Sequence, residues 1–227
     1  KRTTCNARLR QVGLIAMDYV LFGIQGAGKG TQGKVLCEKI SASYFETGGE
    51  LRRLSTENSP LGKKVKSIID AGLLVPNEVV MEIVENFIKN LANKTTPIIF
   101  DGLPRNGKQN DTFESLLKKM ERQYRGIYFE LTRTAAENRL LRRRICEKCK
   151  AVYPMFYKDD KCEKCGGALI VRADDNAKSI KTRLEIFFKE TLPVIEIWKS
   201  KDEMISVDAS GTIEEVTKEL FKKLELA

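Results

Sequence analysis

Four of the six cysteines form two Cys-x-x-Cys pairs, Cys146 with Cys149 and Cys162 with Cys165, and 12 residues separate the pairs. Two such knuckles at this separation favour one tetrathiolate zinc site over two disulfides, with paired disulfides or free dithiols as the alternative. A site with four protein ligands has no open position, so its expected role is structural. The second reactive string is Gly23-Ile24-Gln25-Gly26-Ala27-Gly28-Lys29-Gly30-Thr31. It follows an apolar run and opens a helical pattern, which is the context a phosphate-binding loop requires. Glycines let backbone N–H groups converge on phosphate oxygens, the helix N-terminus adds its positive end, and Lys29 can bridge the terminal phosphates. The strict signature sets a hydroxyl directly after the lysine; here Gly30 intervenes and the hydroxyl comes at Thr31. The bland alternative is a glycine-rich turn without a ligand. The chain has no histidine, which excludes Ser-His-Asp and Cys-His hydrolases and every histidine metal ligand.

The elements that must carry these groups alternate. Short apolar strand candidates end at Ile24, Glu46, Asp101, Leu131 and Asp208, with helical patterns between them. The clearest helix runs from Glu78 to about Leu91, where Val79, Val80, Ile83, Val84, Phe87, Ile88 and Leu91 recur at helical spacing after a Pro76-Asn77 start. This rhythm predicts an α/β fold, a parallel sheet covered by helices on both faces. Asp101 closes the apolar run Pro97-Ile98-Ile99-Phe100. A carboxylate there, beside a phosphate loop, is placed to hold Mg²⁺ or its waters; otherwise it is a strand-end turn residue. Gly33 lies inside the first helical pattern and is expected to cost about 1 kcal/mol against Ala. The cysteine block interrupts the rhythm and reads as a small hairpin inserted into the α/β domain, with Tyr153, Phe156 and Tyr157 as its aromatics.

Length and composition bound the answer. The 227 residues suit one large domain or one domain with inserts, and 42% hydrophobic residues suffice for a core. No apolar stretch approaches the roughly 20 residues of a membrane span, so a soluble protein is expected. The formal charge of +9 suits anionic partners without choosing among nucleic acid, acidic membrane and nucleotide phosphates. Residues 1–16 carry Lys1, Arg2, Arg8 and Arg10 and no acid, ahead of Met17; they read as a leader or appended segment. Cysteines in knuckles and no secretory signal point to a reducing cytoplasm.

The string Gly26-Ala27-Gly28-Lys29-Gly30-Thr31-Gln32 resembles the phosphate loop of adenylate kinases and their nucleoside monophosphate kinase relatives. Thr47-Gly48-Gly49-Glu50-Leu51-Arg52 resembles the start of the family's monophosphate-binding helix pair, Asp101-Gly102-Leu103-Pro104-Arg105 with Gln109 its Asp-Gly-Phe-Pro-Arg box, and Arg172-Ala173-Asp174-Asp175-Asn176 with Arg183 the segment that closes its lid. The likeness runs from Met17 to the C-terminus. It implies a P-loop core (17–45, 76–141 and 176–227), a helical monophosphate-binding insert (46–75) and a zinc lid of the bacterial type (142–175). It implies reversible transfer from Mg-ATP to AMP giving two ADP, by a monomer, with structural zinc and with neither nucleic acid nor membrane as a partner.

The resemblance also implies residue roles. Gly26, Ala27, Gly28, Lys29, Gly30 and Thr31 hold the ATP phosphates, with Arg143 reaching them from the lid and Val152, Tyr153 and Gly211 near the ATP base. Arg52 and Arg105 take the phosphate of AMP, while Thr47, Gln109, Gly102 and the segment Leu73, Leu74 and Val75 line its base pocket. Arg139, Arg172 and Arg183 ring the transferring phosphoryl group, Arg172 and Arg183 also touching AMP. Arginine suits this work because its fork gives bidentate contact to phosphate oxygens. Arg142 and Arg144 read instead as a solvated helix face. The chain departs from the family at Gly49, where the pattern has Asp, at Leu103, where it has Phe, and at Pro154, where it commonly has His. Asn106 resembles the pyrimidine-monophosphate kinases, so a UMP/CMP kinase is one alternative. A P-loop protein reading nucleic acid through its zinc knuckles, or an interaction module that has lost activity, are others.

Overall fold

The computed structural model describes residues 17–154, 157–172 and 175–226. The leader expectation for residues 1–16, together with Phe156, Ala173 and Asp174, lies outside the described residues. Strand β1 (Met17–Phe22) ends in Val20, Leu21 and Phe22, all buried, as a central strand of a parallel sheet requires. It is flanked by β3 (Ile98–Asp101) and β4 (Gln123–Glu130), and β2 (Ser43–Glu46) and β8 (Met204–Asp208) complete a five-stranded sheet of order β2-β3-β1-β4-β8. Every pairing in it is parallel. With β3 on one side of β1 and β4 on the other, the topology switches at β1, and the crevice beyond the strands' carboxyl ends is where such sheets bind ligands.

Helices α1 (Lys29–Ile40), α4 (Asn77–Lys89), α5 (Gly107–Lys119), α6 (Arg133–Leu141), α7 (Ala177–Ile186), α8 (Leu192–Ser200) and α9 (Ile213–Lys223) link and cover the strands, while α2 (Thr47–Ser55) and α3 (Pro60–Asp70) pack on each other between β2 and α4. A π-helical turn, Phe187–Thr191, joins α7 to α8. Helix α4 buries Val80, Val84 and Ile88, the stripe its spacing predicts, although it starts at Asn77 and stops at Lys89. Trp198 is fully buried against Phe22 at 4.9 Å between ring centroids, and its indole N–H donates to Asn110 Oδ1 at 2.7 Å. Among the described residues no helix is long and apolar enough to cross a membrane.

Several local expectations change. β1 ends at Phe22 rather than Ile24, because Gly23 and Ile24 already belong to the loop, and β4 ends at Glu130. A Cβ on Gly33 would stand 2.7 Å from both Leu21 Cδ1 and Tyr44 Cε2, so the missing side chain is what lets α1 lie against the sheet. The helix-propensity loss expected there is offset by that close approach. Cys37 is half-buried, with its thiol donating to Ala42 O at 2.7 Å. The cysteine block is a three-stranded antiparallel sheet, β6-β5-β7, of Arg144–Cys146 (β5), Val152–Tyr153 (β6) and Leu169–Ile170 (β7), rather than a two-stranded hairpin. Arg144 is not a solvated helix residue: it sits in β5, pairs with Asp160 at 2.9 Å and donates to Tyr157 O.

A buried clasp closes the sheet's amino end. Asp18 is fully buried on β1; its carboxylate accepts from Ile98 N at 2.8 Å and from Arg122 Nε and Nη2 at 2.5 and 2.6 Å. Arg122 also donates to Lys94 O and Thr96 O at 2.8 and 2.7 Å. Removing one partner strands a buried charge, so Asp18→Ala should destabilise the fold by about 3–5 kcal/mol. Urea unfolding measures this, and an unchanged midpoint would show the pair to be idle. The double variant Asp18→Ala/Arg122→Leu should lose less than the sum of the single losses.

Candidate active site

The glycine-rich string lies where its spacing predicts, between β1 and the first residue of α1. Gly26 and Gly28 adopt φ of 90° and 84°, and a Cβ on Gly26 would also meet Ala136 O at 2.9 Å. The loop therefore needs glycine for conformation and for room. Gly30 and Thr31 fall in the first turn of α1, the positive end of the helix. Lys29 folds back over the loop, its ammonium donating to Gly23 O at 2.8 Å and Ile24 O at 3.2 Å. Burial lowers its pKa to about 8; Asp101 opposes that shift, and Arg105 and Arg143 add to it.

The cleft beside Lys29 is lined by Gly23, Gln25, Gly102, Arg105 and Thr191. Asp101 ends β3 in register with Glu46 at the end of β2. Burial pushes the Asp101 carboxyl up from the ordinary carboxylate range, while Lys29 and a 2.8 Å hydrogen bond from the Tyr44 hydroxyl pull it back. Arg105 donates from Nε to Gly102 O at 2.7 Å, and its guanidinium lies over Gly102, where a Cβ would come within 3.1 Å. Gln109 is buried at the start of α5, its Oε1 accepting from Arg105 N at 2.7 Å. Thr47 opens α2, and its hydroxyl is buried with no hydrogen-bond partner among the described residues. Buried hydroxyls are normally paired, so this one is a group that the fold itself leaves unsatisfied. Arg52 Nη2 donates to Glu46 Oε1 at 2.6 Å. In the segment between α3 and α4, Leu73 is exposed, Leu74 half-buried and Val75 buried.

A second arginine group is organised by Asp175, whose side chain is fully buried. Arg143 donates to it from Nε and Nη2 at 2.7–2.8 Å, and Arg183 from Nη2 at 2.7 Å. Arg172 is half-buried and adds its positive charge beside Arg143. Arg139 is not brought into this group. It donates to Ala209 O at 2.9 Å and Ser210 O at 3.1 Å, next to Gly211, and reaches Gly26 O at 3.5 Å. Two backbone carbonyls hold it on the loop after β8, and a third belongs to the phosphate loop.

Cys146, Cys149, Cys162 and Cys165 place their sulfurs within 4.8 Å of one another. The approaches of 3.4 Å (Cys146 to Cys165) and 3.5 Å (Cys149 to Cys162) are far beyond the about 2.05 Å of a disulfide. They approach the about 3.8 Å edge of a tetrahedron with Zn–S bonds of about 2.3 Å. Cys149 N donates to Cys146 Sγ at 3.4 Å, and a Cβ on Gly167 would come within 2.8 Å of that sulfur. The cluster fits one metal ion. The Tyr153 ring is buried here, with its hydroxyl 3.0 Å from Cys162 Sγ and accepting from Glu163 N at 3.1 Å. Its side chain thus serves the cysteine module, and exposed Val152 is the side chain left facing outward.

Sequence reasoning missed Tyr44, Glu46 and Asp175 as site residues. Tyr44 and Glu46 are two apart on β2 and so share one face, a pattern visible in the sequence. Asp175 lies inside a string already singled out for its Arg172, directly before the Asn176 cap of α7.

The model of the family described as "Adenylate kinase" matches residues 21–203. An adenylate kinase of Hydrogenobaculum sp. is 37% identical over 92% of this chain and 99% of its own length. Those of Fervidobacterium nodosum and Bacillus licheniformis are 35% and 36% identical, over 92% and 88% of this chain and 97% and 94% of their own. The phosphate loop, the Asp101–Arg105 corner and the arginines around Asp175 all fall within the matched span, and the chain belongs to the adenylate kinase family.

Proposed function

We propose the following division of labour for the chain's adenylate kinase activity, the reversible transfer of the terminal phosphoryl group of Mg-ATP to AMP to give two ADP. Phosphoryl transfer asks a protein to position two nucleotides and neutralise charge, and needs no covalent intermediate on the enzyme. The loop Gly26–Thr31 cradles the ATP phosphates, and Lys29 exchanges the carbonyls of Gly23 and Ile24 for phosphate oxygens. Arg52 and Arg105 take the phosphate of AMP; Thr47, Gln109, Gly102 and the Leu73–Val75 segment line its base. Arg143, Arg172 and Arg183 surround the transferring group, and Asp175 fixes the forks of Arg143 and Arg183. Arg139 anchors the Gly211 loop near the ATP base, with Val152, Gly211 and the Tyr153 backbone. Asp101, steadied by Tyr44, is the carboxylate that would hold Mg²⁺ or its waters, and the ion supplies charge neutralisation on the phosphates. Movement of the 46–75 and 142–175 segments against the remaining core would exclude water, so that AMP rather than water receives the phosphoryl group.

Four cysteines suit Zn²⁺, and a shell of four thiolates leaves no position for substrate, so the metal holds the lid together. Thiols kept for metal fit a reducing cytoplasm.

The observation that carries this reading is the buried Thr47 hydroxyl, without a partner among the described residues, beside Gly102 and Arg105. The test compares AMP, CMP, UMP and GMP as acceptors. AMP should give the highest kcat/KM; a CMP or UMP value about tenfold above it would overturn the base assignment.

A further inference from the structure

Gly49 stands where the family pattern has Asp, yet the space above it is filled. A Cβ on Gly49 would lie 3.3 Å from Glu46 Oε2 and 3.4 Å from Glu46 Cδ. The other oxygen of the same carboxylate accepts from Arg52 Nη2 at 2.6 Å. Glu46 therefore reaches across the first turn of α2, one oxygen over Gly49 and one on Arg52. The Arg52 guanidinium in turn rests on Gly48, where a Cβ would stand 3.0 Å from Nη1. Glu46 ends β2 beside Asp101, which ends β3, so two carboxylates close neighbouring strands at the ligand-binding edge of the sheet. Tyr44, two residues earlier on the same face, holds Asp101.

We infer that Glu46 is a positioning residue for the acceptor site: its carboxylate stands in for the one missing at Gly49 and aligns the fork of Arg52 for the phosphate of AMP. The inference rests on the reading of Arg52 as a phosphate ligand. Three features support it. The Glu46–Arg52 contact is short, and one end of the pair is fixed to a strand. Both side chains remain more than a third exposed, so an incoming phosphate can reach the fork. A side chain at 49 would press on the Glu46 carboxylate, so a carboxylate at 49 would crowd the one at 46 out of its present place. Bidentate arginine contacts depend on orientation, and a fork fixed beforehand loses less freedom on binding.

The test uses steady-state kinetics with AMP varied at saturating ATP, and the reverse, on Glu46→Gln, Gly49→Asp, their double variant, and Arg52→Gln. Glu46→Gln keeps the shape and removes the charge. It should raise KM for AMP about fivefold or more while kcat and KM for ATP stay within about twofold. Gly49→Asp alone should also raise KM for AMP, because it crowds Glu46. In the double variant KM for AMP should return to within about twofold of the parent, a coupling that a merely structural role would not produce. Arg52→Gln should raise KM for AMP at least as much as Glu46→Gln. If Arg52→Gln does so and Glu46→Gln does not, the role of Glu46 is overturned while that of Arg52 stands. If neither does, the reading of Arg52 falls and the inference with it. A double variant no better than the worse single variant would also overturn the stand-in role.

Discussion

Lys29→Met should abolish nearly all phosphoryl transfer in a protein that stays folded. The loop is shaped by its glycines and by β1 and α1, not by the lysine; the ammonium contributes hydrogen bonds only to Gly23 O and Ile24 O. Burying a charge is costly, so an apolar chain of similar length there should change stability little. In the transition state, negative charge spreads over the transferring phosphoryl oxygens, and a preorganised cation beside them is worth about 3–4 kcal/mol, or roughly two to three orders of magnitude in kcat. The pH profile gives a second readout. Burial lowers the Lys29 pKa to about 8, against the opposing pull of Asp101, so the free enzyme loses this charge as pH rises through that value. The kcat/KM for ATP should therefore fall on the alkaline side near pH 8, since that parameter reports free-enzyme ionisations. The residual activity of Lys29→Met should lack that limb. A folded Lys29→Met protein with near-normal turnover would sink the phosphate-loop assignment.

What the sequence disclosed follows a physical boundary. Lys29, Gly26 and Gly28 act within one turn of backbone, so their chemistry is written in consecutive residues and could be read there. The strand ends at Glu46, Asp101 and Asp208 were legible because apolar runs stop there at an acid. The cysteine pairs were legible because each knuckle is local, and the spacing between them allows one shared site. Residues whose partners come from afar were not. The Tyr44 hydroxyl finds Asp101 57 residues on, and Asp18 finds Arg122 104 residues on. Nothing near Asp18 in the sequence announces a buried charge, since its compensation is assembled only when β1 meets the turn before β4. Gly33 was misread for the same reason: helix propensity counts the residue alone, whereas Leu21 and Tyr44 determine what fits. Arg139 belongs to a matched block, yet three carbonyls from two other loops set its direction. Family pattern assigned it a neighbourhood, and tertiary hydrogen bonding chose its contact.

Purified from metal-replete, reducing conditions, the protein should carry about one zinc per chain, and Cys162→Ser should lose it. Finding none in the parent would falsify the metal site. The small sheet has little else to hold it. Strands β6 and β7 are two residues each, and the buried cluster is Cys146, Tyr153 and Cys162, with the Tyr157 ring tilted against Tyr153 at 4.5 Å between centroids. Two of those three buried groups are themselves candidate metal ligands, so thiolate bonds would supply the core that the apolar residues do not. Apparent zinc-binding energies in small cysteine modules are about 10–16 kcal/mol at neutral pH, well beyond what so few aromatics can contribute. Cys162→Ser should therefore lower the unfolding temperature and open residues 146–165 to proteolysis, whereas the Asp18–Arg122 clasp and the phosphate loop should keep parental protection. Activity at low temperature should persist in part. Arg143 directly precedes β5, so loss of the small sheet loosens it from one side, but Asp175 grips its fork from the other. Lys29 opens α1 and Arg105 follows β3, both outside the small sheet, so they should remain assembled. Chelation of the intact protein should reproduce the variant's protease pattern. An unchanged pattern and melting temperature after complete zinc removal would show that the metal does not hold the sheet together. Complete loss of turnover in a folded, zinc-free protein would mean that Asp175 alone cannot keep Arg143 in place, tying the metal to catalysis through that arginine.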